Sequence, residues 1–412
     1  MPFAFDPAII MSTSSSALAS TLNEAFPRTW IYPCRVLWRV FLPFFVTRLL
    51  ITIILSSTPL LLGNSTNPWN LDDASVVRLS PAQVKESITR GAIVNDAAWY
   101  QAIAQNGYEK RPFNTNRQAN WAFFPLHPLI WRAMAAMSGE WVWSGVLTAN
   151  TFFFAGLVLL WQIALRLTNE VRQADATVMF ACIWPTSYFM SLPLSESLFF
   201  LTVCGSFLAV SAGKWGAAGV IGALASATRF NGLFLLPALA IGWLKGDRRL
   251  PALAGLAAIC CGVLTYMVYL WLITGNPLAF KDIQVCWGRH LTTPWTTLFH
   301  YLGQPHKIAK PWNFQTLNFL MALLAICSIL SCWRRGWREL AVFSALTLLA
   351  PLSTGTLTSL TRYLSVAPGI FVALATWAYR FPRLGQWLIG GFCFALALMC
   401  VLFSQGVNVA GA

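Results

Sequence analysis

Long apolar stretches alternate with short polar connections along most of the chain. The apolar blocks lie at 39–62, 142–165, 176–191, 195–212, 215–229, 231–244, 251–273, 314–332, 340–353, 362–379 and 385–404. A helix needs about 18 or more predominantly apolar residues to cross a bilayer core. The pattern therefore predicts an all-α polytopic membrane protein with about 11 transmembrane helices. The two blocks at 215–229 and 231–244 are short, which favours a tilted or broken hairpin.

Composition supports this fold class. Of 412 residues, 57% are hydrophobic and only 10% are charged, and the mean hydropathy is +0.60. Soluble domains contain about 25% charged and about 45–50% apolar residues, and disordered chains contain still fewer apolar ones. Both of these classes are excluded.

The net charge of +14 does not come from a nucleic-acid-binding patch. Basic residues instead form small clusters between apolar blocks, at 245–249, 334–338 and 380–383. Clusters of this kind mark cytoplasmic loops. With the N-terminus inside, the short outer connections 192–194 and 353–361 carry no Lys or Arg. We therefore expect membrane lipids as partners and no nucleic acid.

This orientation divides the chain into five parts. We predict a cytoplasmic N-terminal segment (1–38), an uncleaved first transmembrane helix (39–62) and a first extracytoplasmic loop with interfacial helices (63–138). A multi-span membrane domain (139–404) follows, with a second outer loop at 274–313, and a short outer tail (405–412) ends the chain. The proline-rich stretch 121–137 is interpreted as interfacial or re-entrant rather than as a full crossing.

An acidic helix in the first outer loop is the first candidate for chemistry. Asn95 can cap this helix and Gly107 can end it. Asp96 and Tyr100 share a face with Trp99 and Ile103, so the helix is expected to lie amphipathically at the outer membrane surface. Asp96 suits a general base there. The alternative is a first-turn acid that complements the helix dipole.

Two arginines and one glutamate lie at the heads of apolar blocks on the same side. Glu196 opens a helix behind Pro193, with Ser195 available as its N-cap. An ionisable group at membrane depth is a functional candidate by default. Arg229, in Thr228 to Gly232, suits a bidentate phosphate contact; pairing with Glu196 is the alternative, and both contacts can hold together. Arg362 repeats this situation, with snorkelling to lipid headgroups as its alternative.

The second outer loop offers groups that suit a sugar. Gln284, Trp287 and Arg289 combine an amide, an aromatic plane and a guanidinium. His127 fits an interfacial residue better than a metal ligand, because the four histidines show no H-x-x-x-H or H-E-x-x-H spacing. P-loop, G-x-G-x-x-G and D-x-D motifs are all absent from the sequence. An activated substrate is therefore expected to be lipid-borne rather than nucleotide-borne.

The ordered motifs resemble a known family, the PIG-V-like GPI mannosyltransferases, of which this chain looks like a bacterial relative. The resemblance covers about residues 90 to 380. It rests on the stretches 96–100 with 107–108, 123–128, 193–199, 229–232, 275–280 with Gln284, Trp287 and Arg289, and 362–364. The family usually has tryptophan before the aspartate, where this chain has Asn95. That departure concerns the helix start more than the chemistry.

The resemblance implies a GT-C glycosyltransferase fold and an inverting transfer of mannose from a polyprenyl-phosphate donor to a lipid or glycolipid acceptor. Asp96 matches the family's base. Arg229, Arg362 and Arg289 are the candidates for binding the donor phosphate. Further substrate contacts are expected from Trp99, Tyr100, His127, Glu196, Asn231, Gln284, Trp287 and Tyr363. A GPI acceptor does not carry over to a bacterial member.

The predicted topology places Asp96, Glu196 and the three arginines on one side, which favours a common site. We expect it to face the periplasm or exterior from a bacterial inner membrane. No cofactor is expected, and a divalent ion held by Asp72, Asp73 and Asp96 is the alternative. Two other functions stay open, a transporter or flippase of a lipid-linked sugar and a non-catalytic membrane subunit. Arg48 and the short hairpin are the features that fit a flippase.

Overall fold

A computed structural model describes residues 33–62, 81–246, 250–303 and 314–407, and every regular element within these ranges is helical. The α-helices are α1 (Pro33–Leu62), α2 (Pro81–Ala92), α3 (Asp96–Asn106), α4 (Leu126–Ser138), α5 (Trp141–Thr168), α6 (Val171–Cys182), α7 (Glu196–Ser211), α8 (Trp215–Thr228), α9 (Leu235–Lys245), α10 (Leu250–Ala258), α11 (Cys261–Thr274), α12 (Ala279–Asp282), α13 (Pro294–Leu302), α14 (Phe314–Arg334), α15 (Arg338–Leu352), α16 (Leu360–Leu364), α17 (Pro368–Arg380) and α18 (Pro382–Ser404). Short 3-10 helices lie at Asn120–Ala122, Ser187–Ser191, Phe230–Phe234 and Ile283–Trp287.

Four of the described helices are long and apolar enough to cross a membrane. They are Arg35–Pro59 within α1, α5, Gln315–Arg334 within α14, and α18. The pair α10 and α11, bent by 40° at its break, passes the same test as one unit. Large apolar side chains such as Leu42 of α1 and Phe394 of α18 are exposed, as expected of lipid-facing surfaces. The chain is an integral membrane protein, and the total of about 11 spans stays a prediction.

Two of the predicted apolar blocks are interrupted next to a proline. In block 176–191, α6 ends at Cys182 before Pro185, and a 3-10 helix at Ser187–Ser191 follows. In block 362–379, α16 ends at Leu364 and α17 begins at Pro368. Proline lacks the amide hydrogen that would continue a helix, so it ends or restarts one. The segment 126–138 forms a 13-residue helix, which is shorter than the about 20 residues of a crossing.

The central helices are buried on nearly all sides. In α7 almost every residue from Glu196 to Phe207 is buried, and in α17 every residue from Pro368 to Thr376 is buried. Phe200 of α7 and Phe371 of α17 meet edge to face. A helix that is apolar all round belongs in the interior. The starts of α7 and α17 are thus held rigidly, and Glu196 and Arg362 lie near those starts.

Arg48 of α1 supports the irregular backbone before α7. Its guanidinium donates to the carbonyl oxygens of Ser187 (2.7 Å) and Cys182 (2.9 Å), and to the hydroxyls of Ser187 (2.7 Å) and Ser191 (3.1 Å). Non-helical backbone at membrane depth is tolerated where protein groups satisfy it. The hydrogen bonds of Arg48 therefore hold the connection that leads to Ser195 and Glu196.

Glycines bring α8 close to α10 and α11. A Cβ atom on Gly219 would lie 2.2 Å from the carbonyl oxygen of Gly255, and one on Gly262 would lie 2.1 Å from that of Ala223. Small residues at helix contacts allow this close approach in membranes. The contact fixes α8, whose last turn leads into Arg229.

We expect Gly219→Ala to destabilise the protein relative to Gly216→Ala. Both changes favour the helix by about 1 kcal/mol. A Cβ at position 216 meets open space, however, whereas one at 219 collides with backbone. Such overpacking costs about 1–3 kcal/mol. Thermal unfolding of the detergent-solubilised variants measures the difference, and equal melting temperatures would contradict the close contact.

Candidate active site

Asp96 begins α3 after an unusual backbone turn. Asn95 has φ 53° and ψ −124°, and its side chain makes no capping hydrogen bond. The prediction that Asn95 caps the helix with its side chain is therefore wrong, because an N-cap side chain reaches back from extended backbone. The predicted end is confirmed: Gly107, at φ 81°, donates its amide hydrogen to the carbonyl of Ile103.

The apolar face of α3 packs against protein. Tyr100 and Ile103 are buried in a cluster with Phe123 and Trp131. Aromatic residues from 121–137 cover this face, so it packs against protein rather than lipid, and the position of α3 at the outer membrane surface stays a prediction. Asp96 lies at the start of this packed helix.

Four charged side chains from distant parts of the chain form a continuous series. The Nη1 atom of Arg362 lies 2.7 Å from Oδ2 of Asp96, and its Nε atom lies 2.6 Å from Oε1 of Glu196. Nη1 of Arg229 lies 2.7 Å from the same glutamate oxygen. The order is thus Asp96, Arg362, Glu196, Arg229. Two carboxylates balance two guanidinium groups.

Exposure separates the two acids. The Glu196 side chain is 1% exposed and that of Arg362 is 5% exposed, whereas Asp96 is 28% exposed. Arg362 also stacks over Phe189, with 4.5 Å from its Cζ atom to the ring centroid. Asp96 is therefore the carboxylate that a substrate can reach, and Arg362 is not snorkelling to lipid.

Ser195 links the helix of Asp96 to the start of α7. Its φ and ψ of −76° and −9° are helical, and its side chain does not cap α7 as predicted. Instead its Oγ atom accepts hydrogen bonds from the hydroxyl of Tyr100 (2.8 Å) and from Nη1 of Arg229 (3.4 Å). Burial raises the pKa of Tyr100, so the phenol stays protonated and donates.

His127 packs between Tyr100 and Trp131, with ring centroids 5.0 Å and 6.0 Å away. It is almost fully buried. Burial lowers the pKa of His127 to about 4, and the Pro193 carbonyl and Glu196 oppose this effect. The imidazole is therefore neutral near pH 7 and supports the Tyr100 ring.

The second outer loop joins the site through Tyr363. Arg289 donates from Nη1 to the amide oxygen of Gln284 (2.8 Å) and from Nη2 to the hydroxyl of Tyr363 (3.2 Å). The Tyr363 ring lies beneath Arg229, with 5.3 Å from Cζ to the centroid. All three predicted phosphate-binding arginines are therefore linked through direct contacts.

The rings of Trp99, Phe123 and Trp287 form an aromatic wall at the second outer loop, to which Trp287 belongs. Trp99 stacks on Phe123 at 5.8 Å between ring centroids, and Trp287 lies 6.2 Å from each of them, edge to face. Both tryptophans are partly exposed. Asn231 lies in the 3-10 helix after Arg229 and is half-buried.

Two supporting groups escaped the sequence analysis. Asn318 of α14 accepts hydrogen bonds from the amide (3.0 Å) and hydroxyl (2.6 Å) of Thr361, which fixes the residue before Arg362. In the sequence, Asn318 could have been recognised as a polar residue within an apolar helix. Gly232 was noted only within a motif. A Cβ there would lie 2.3 Å from the amide nitrogen of Ser226, so the turn that carries Arg229 requires glycine.

Within the described ranges, no group of three or more His, Cys, Asp or Glu side chains is placed to hold a metal ion. Asp72 and Asp73 lie outside the described residues.

The fold and the site define an integral membrane protein with an arginine-lined carboxylate at one end of its helices. The chain is similar to GPI alpha-1,6-mannosyltransferase 2 of Rattus norvegicus, 28% identical over 247 residues, or 54% of this chain and 48% of that protein. It is also similar to GPI mannosyltransferase 2 of Schizosaccharomyces pombe, 27% identical over 277 residues, or 61% and 56%. These relatives confirm the resemblance to the PIG-V-like family.

The chain spans about half the length of the curated relatives it matches. No protein-family model matches it. Among solved structures, it is similar to the Archaeoglobus fulgidus oligosaccharyltransferase tethered with an acceptor peptide. The TM-score is 0.45 at 11% identity, over 93% of this chain and 56% of that one.

We expect Tyr100→Phe to lower stability by about 1 kcal/mol, because Ser195 loses a buried hydrogen-bond donor while the ring packing is kept. Tyr379→Phe removes a hydroxyl from a half-exposed ring and is the matched control, with little change expected. Thermal unfolding of both variants provides the comparison. Equal stability would mean that the Tyr100–Ser195 bond does not tie α3 to α7.

Proposed function

We propose that this protein is an inverting mannosyltransferase. It would transfer mannose from a polyprenyl-phosphate-mannose donor to a hydroxyl of a lipid or glycolipid acceptor on the extracytoplasmic side. The observation that carries the proposal is the accessible Asp96 carboxylate bonded to Arg362, next to Arg229. The similarity to two GPI mannosyltransferases supports mannose as the sugar.

During the reaction, charge changes in opposite directions at Asp96 and at the donor phosphate. Asp96 takes the proton of the acceptor hydroxyl while that oxygen attacks the anomeric carbon. The bond from this carbon to the phosphate oxygen breaks, and the phosphate keeps the electron pair. The leaving phosphate thus goes from one negative charge to about two, while Asp96 becomes neutral. The total charge of the site is unchanged. One negative charge is lost from Asp96 and one is gained by the phosphate, and we place both groups beside Arg362.

Fixed guanidinium groups suit the phosphate end. Donors that are already oriented towards developing charge cost no reorganisation during reaction, and they act strongly where water is excluded. The Arg362 side chain is 5% exposed and that of Arg229 is 16% exposed, and Arg289 bonds Tyr363, whose ring lies beneath Arg229. We assign the donor phosphate to these three arginines. We assign the sugar to the neighbouring wall of Trp99 and Trp287, with Gln284 as a polar contact.

Helix directions support an extracytoplasmic site. Arg362 lies at the start of the α16–α17 segment, and Arg380 lies at its end. Arg229 precedes the 3-10 helix that leads into α9, and Lys245 ends α9. The basic clusters assigned to the cytoplasm are thus separated from the site by whole helices. In a bacterial inner membrane, the site would face the periplasm.

The flippase alternative has lost one of its two supporting features. Four hydrogen bonds commit Arg48 to Cys182, Ser187 and Ser191, which is a structural role. An experiment distinguishes a non-catalytic subunit from a transferase, because in a non-catalytic subunit Asp96 could be replaced without loss of activity.

Asp96→Asn should abolish most transfer and at the same time strengthen binding of the leaving group. Loss of a general base lowers the rate by about 100-fold or more. Because Arg362 no longer has a charged partner in Asp96, polyprenyl phosphate should bind tighter, by about threefold or more. Radiolabelled mannosyl polyprenyl phosphate with a total lipid extract of the source cell measures transfer, and polyprenyl phosphate alone measures binding.

The matched control is Asp282→Asn, which makes the same change at an exposed residue of the second outer loop, and it should behave as wild type. Transfer by Asp96→Asn at the wild-type rate would exclude Asp96 as the base. A wild-type protein that binds the donor and transfers no mannose would exclude the proposed function.

We further propose that the arginines stabilise the leaving phosphate without a cofactor. Transfer should then continue unchanged in excess EDTA. If EDTA stops the reaction and added magnesium or manganese restores it, the alternative of a divalent ion near Asp96 holds instead.

A further inference from the structure

Glu196 is fully enclosed by its partners. Its side chain is 1% exposed, and one oxygen, Oε1, receives both arginines. The other oxygen, Oε2, is buried without a hydrogen-bond partner in the described part of the chain. A substrate hydroxyl cannot reach a carboxylate in this position. The substrate-binding role expected for Glu196 therefore does not fit its surroundings.

The shared oxygen brings two positive charges side by side. Two guanidinium groups this close repel each other strongly where water is scarce. A carboxylate between them offsets the repulsion, and truncating one partner of such a buried group is costly. Glu196 also lies in the first turn of α7, where the helix dipole favours a negative charge. The dipole of α7 thus stabilises the negative charge of Glu196.

The attachment point on Arg362 determines which way that arginine points. Glu196 holds the Nε atom, at the stem of the planar guanidinium, and Nη1 then faces Asp96. Holding Nε limits rotation of the plane, because the five donors of a guanidinium have a rigid arrangement. Arg229 is held by the same oxygen and by Ser195.

We propose that Glu196 is a positioning residue that fixes Arg362 and Arg229 for the transfer step, without contacting substrate. This inference rests on the proposed function, since the two arginines are the groups assigned to the donor phosphate. Glu196 balances one of their charges, and the phosphate arrives at the remaining donor atoms. Without the carboxylate, the arginines would still attract the anionic donor but would no longer hold it in the reacting geometry.

Glu196→Gln tests the proposal, because it keeps the shape and one acceptor oxygen and removes the charge. Turnover is measured with the mannosyl donor and lipid extract, and binding is measured separately with polyprenyl phosphate. We expect full binding stoichiometry, an affinity equal to wild type or up to about threefold tighter, and kcat lower by about 30-fold or more. KM for the donor should not rise. Glu196→Asp, which keeps the charge, should recover part of kcat.

Glu339→Gln is the matched control, since that acid pairs with Lys245 at the far end of α9, and it should match wild type. Three results would overturn the proposal. They are a kcat for Glu196→Gln within about threefold of wild type, a kcat loss equal to the loss of binding sites, and a raised KM with kcat intact. A kcat loss equal to the loss of binding sites would indicate a purely structural role. A raised KM with kcat intact would indicate a substrate contact.

The same measurements distinguish failure of the proposed function from failure of this inference. If wild type and Glu196→Gln both transfer mannose equally, the function stands and the positioning role is wrong. If wild type binds polyprenyl phosphate but transfers no mannose, both are wrong, because no transfer step remains for Glu196 to support.

Discussion

The ion pairs at Glu196 are the interaction on which the centre of this protein depends. Charged groups removed from water are tolerated only with partners, and this requirement is strictest in a membrane protein. Here α3, α7, the turn after α8 and α16 each contribute one charged residue, and each carboxylate meets an arginine. Asp96 at one end is the most exposed of the four at 28%, so the series combines a buried centre with one accessible carboxylate.

The surrounding helices hold this charged centre by satisfying irregular backbone. Arg48 bonds the connection before α7, and Asn318 bonds Thr361 before Arg362. Gly232 lets the chain turn tightly after Arg229. Glu196, Arg229 and Arg362 thus each lie beside a break in a helix, and a separate feature supports each of these three breaks. This arrangement places the charged side chains at helix ends, while the helix bodies stay packed.

Much of the architecture was predictable from the sequence, because apolar block length and basic clusters reflect the bilayer directly. The gathering of Asp96, Glu196, Arg229, Arg289 and Arg362 on one side followed from the same reasoning. The sequence also suggests the Glu196–Arg229 pair, as an alternative that can hold together with phosphate binding. The bridging role of Arg362 is not predicted, because it depends on where α16 lies relative to α7. The buried face of α3 is likewise set by tertiary contacts that no local pattern encodes.

The sharing of one glutamate by two arginines has a consequence for how the chain is made. Glu196 and Arg229 lie at neighbouring ends of α7 and α8, which follow each other directly along the chain. Since synthesis runs from the N-terminus, their pair can form while the ribosome is still translating the rest. An early pair of this kind avoids an isolated carboxylate in the membrane, where it would be costly. Arg362 emerges much later, so its contact with Asp96 can form only after most of the chain has been made.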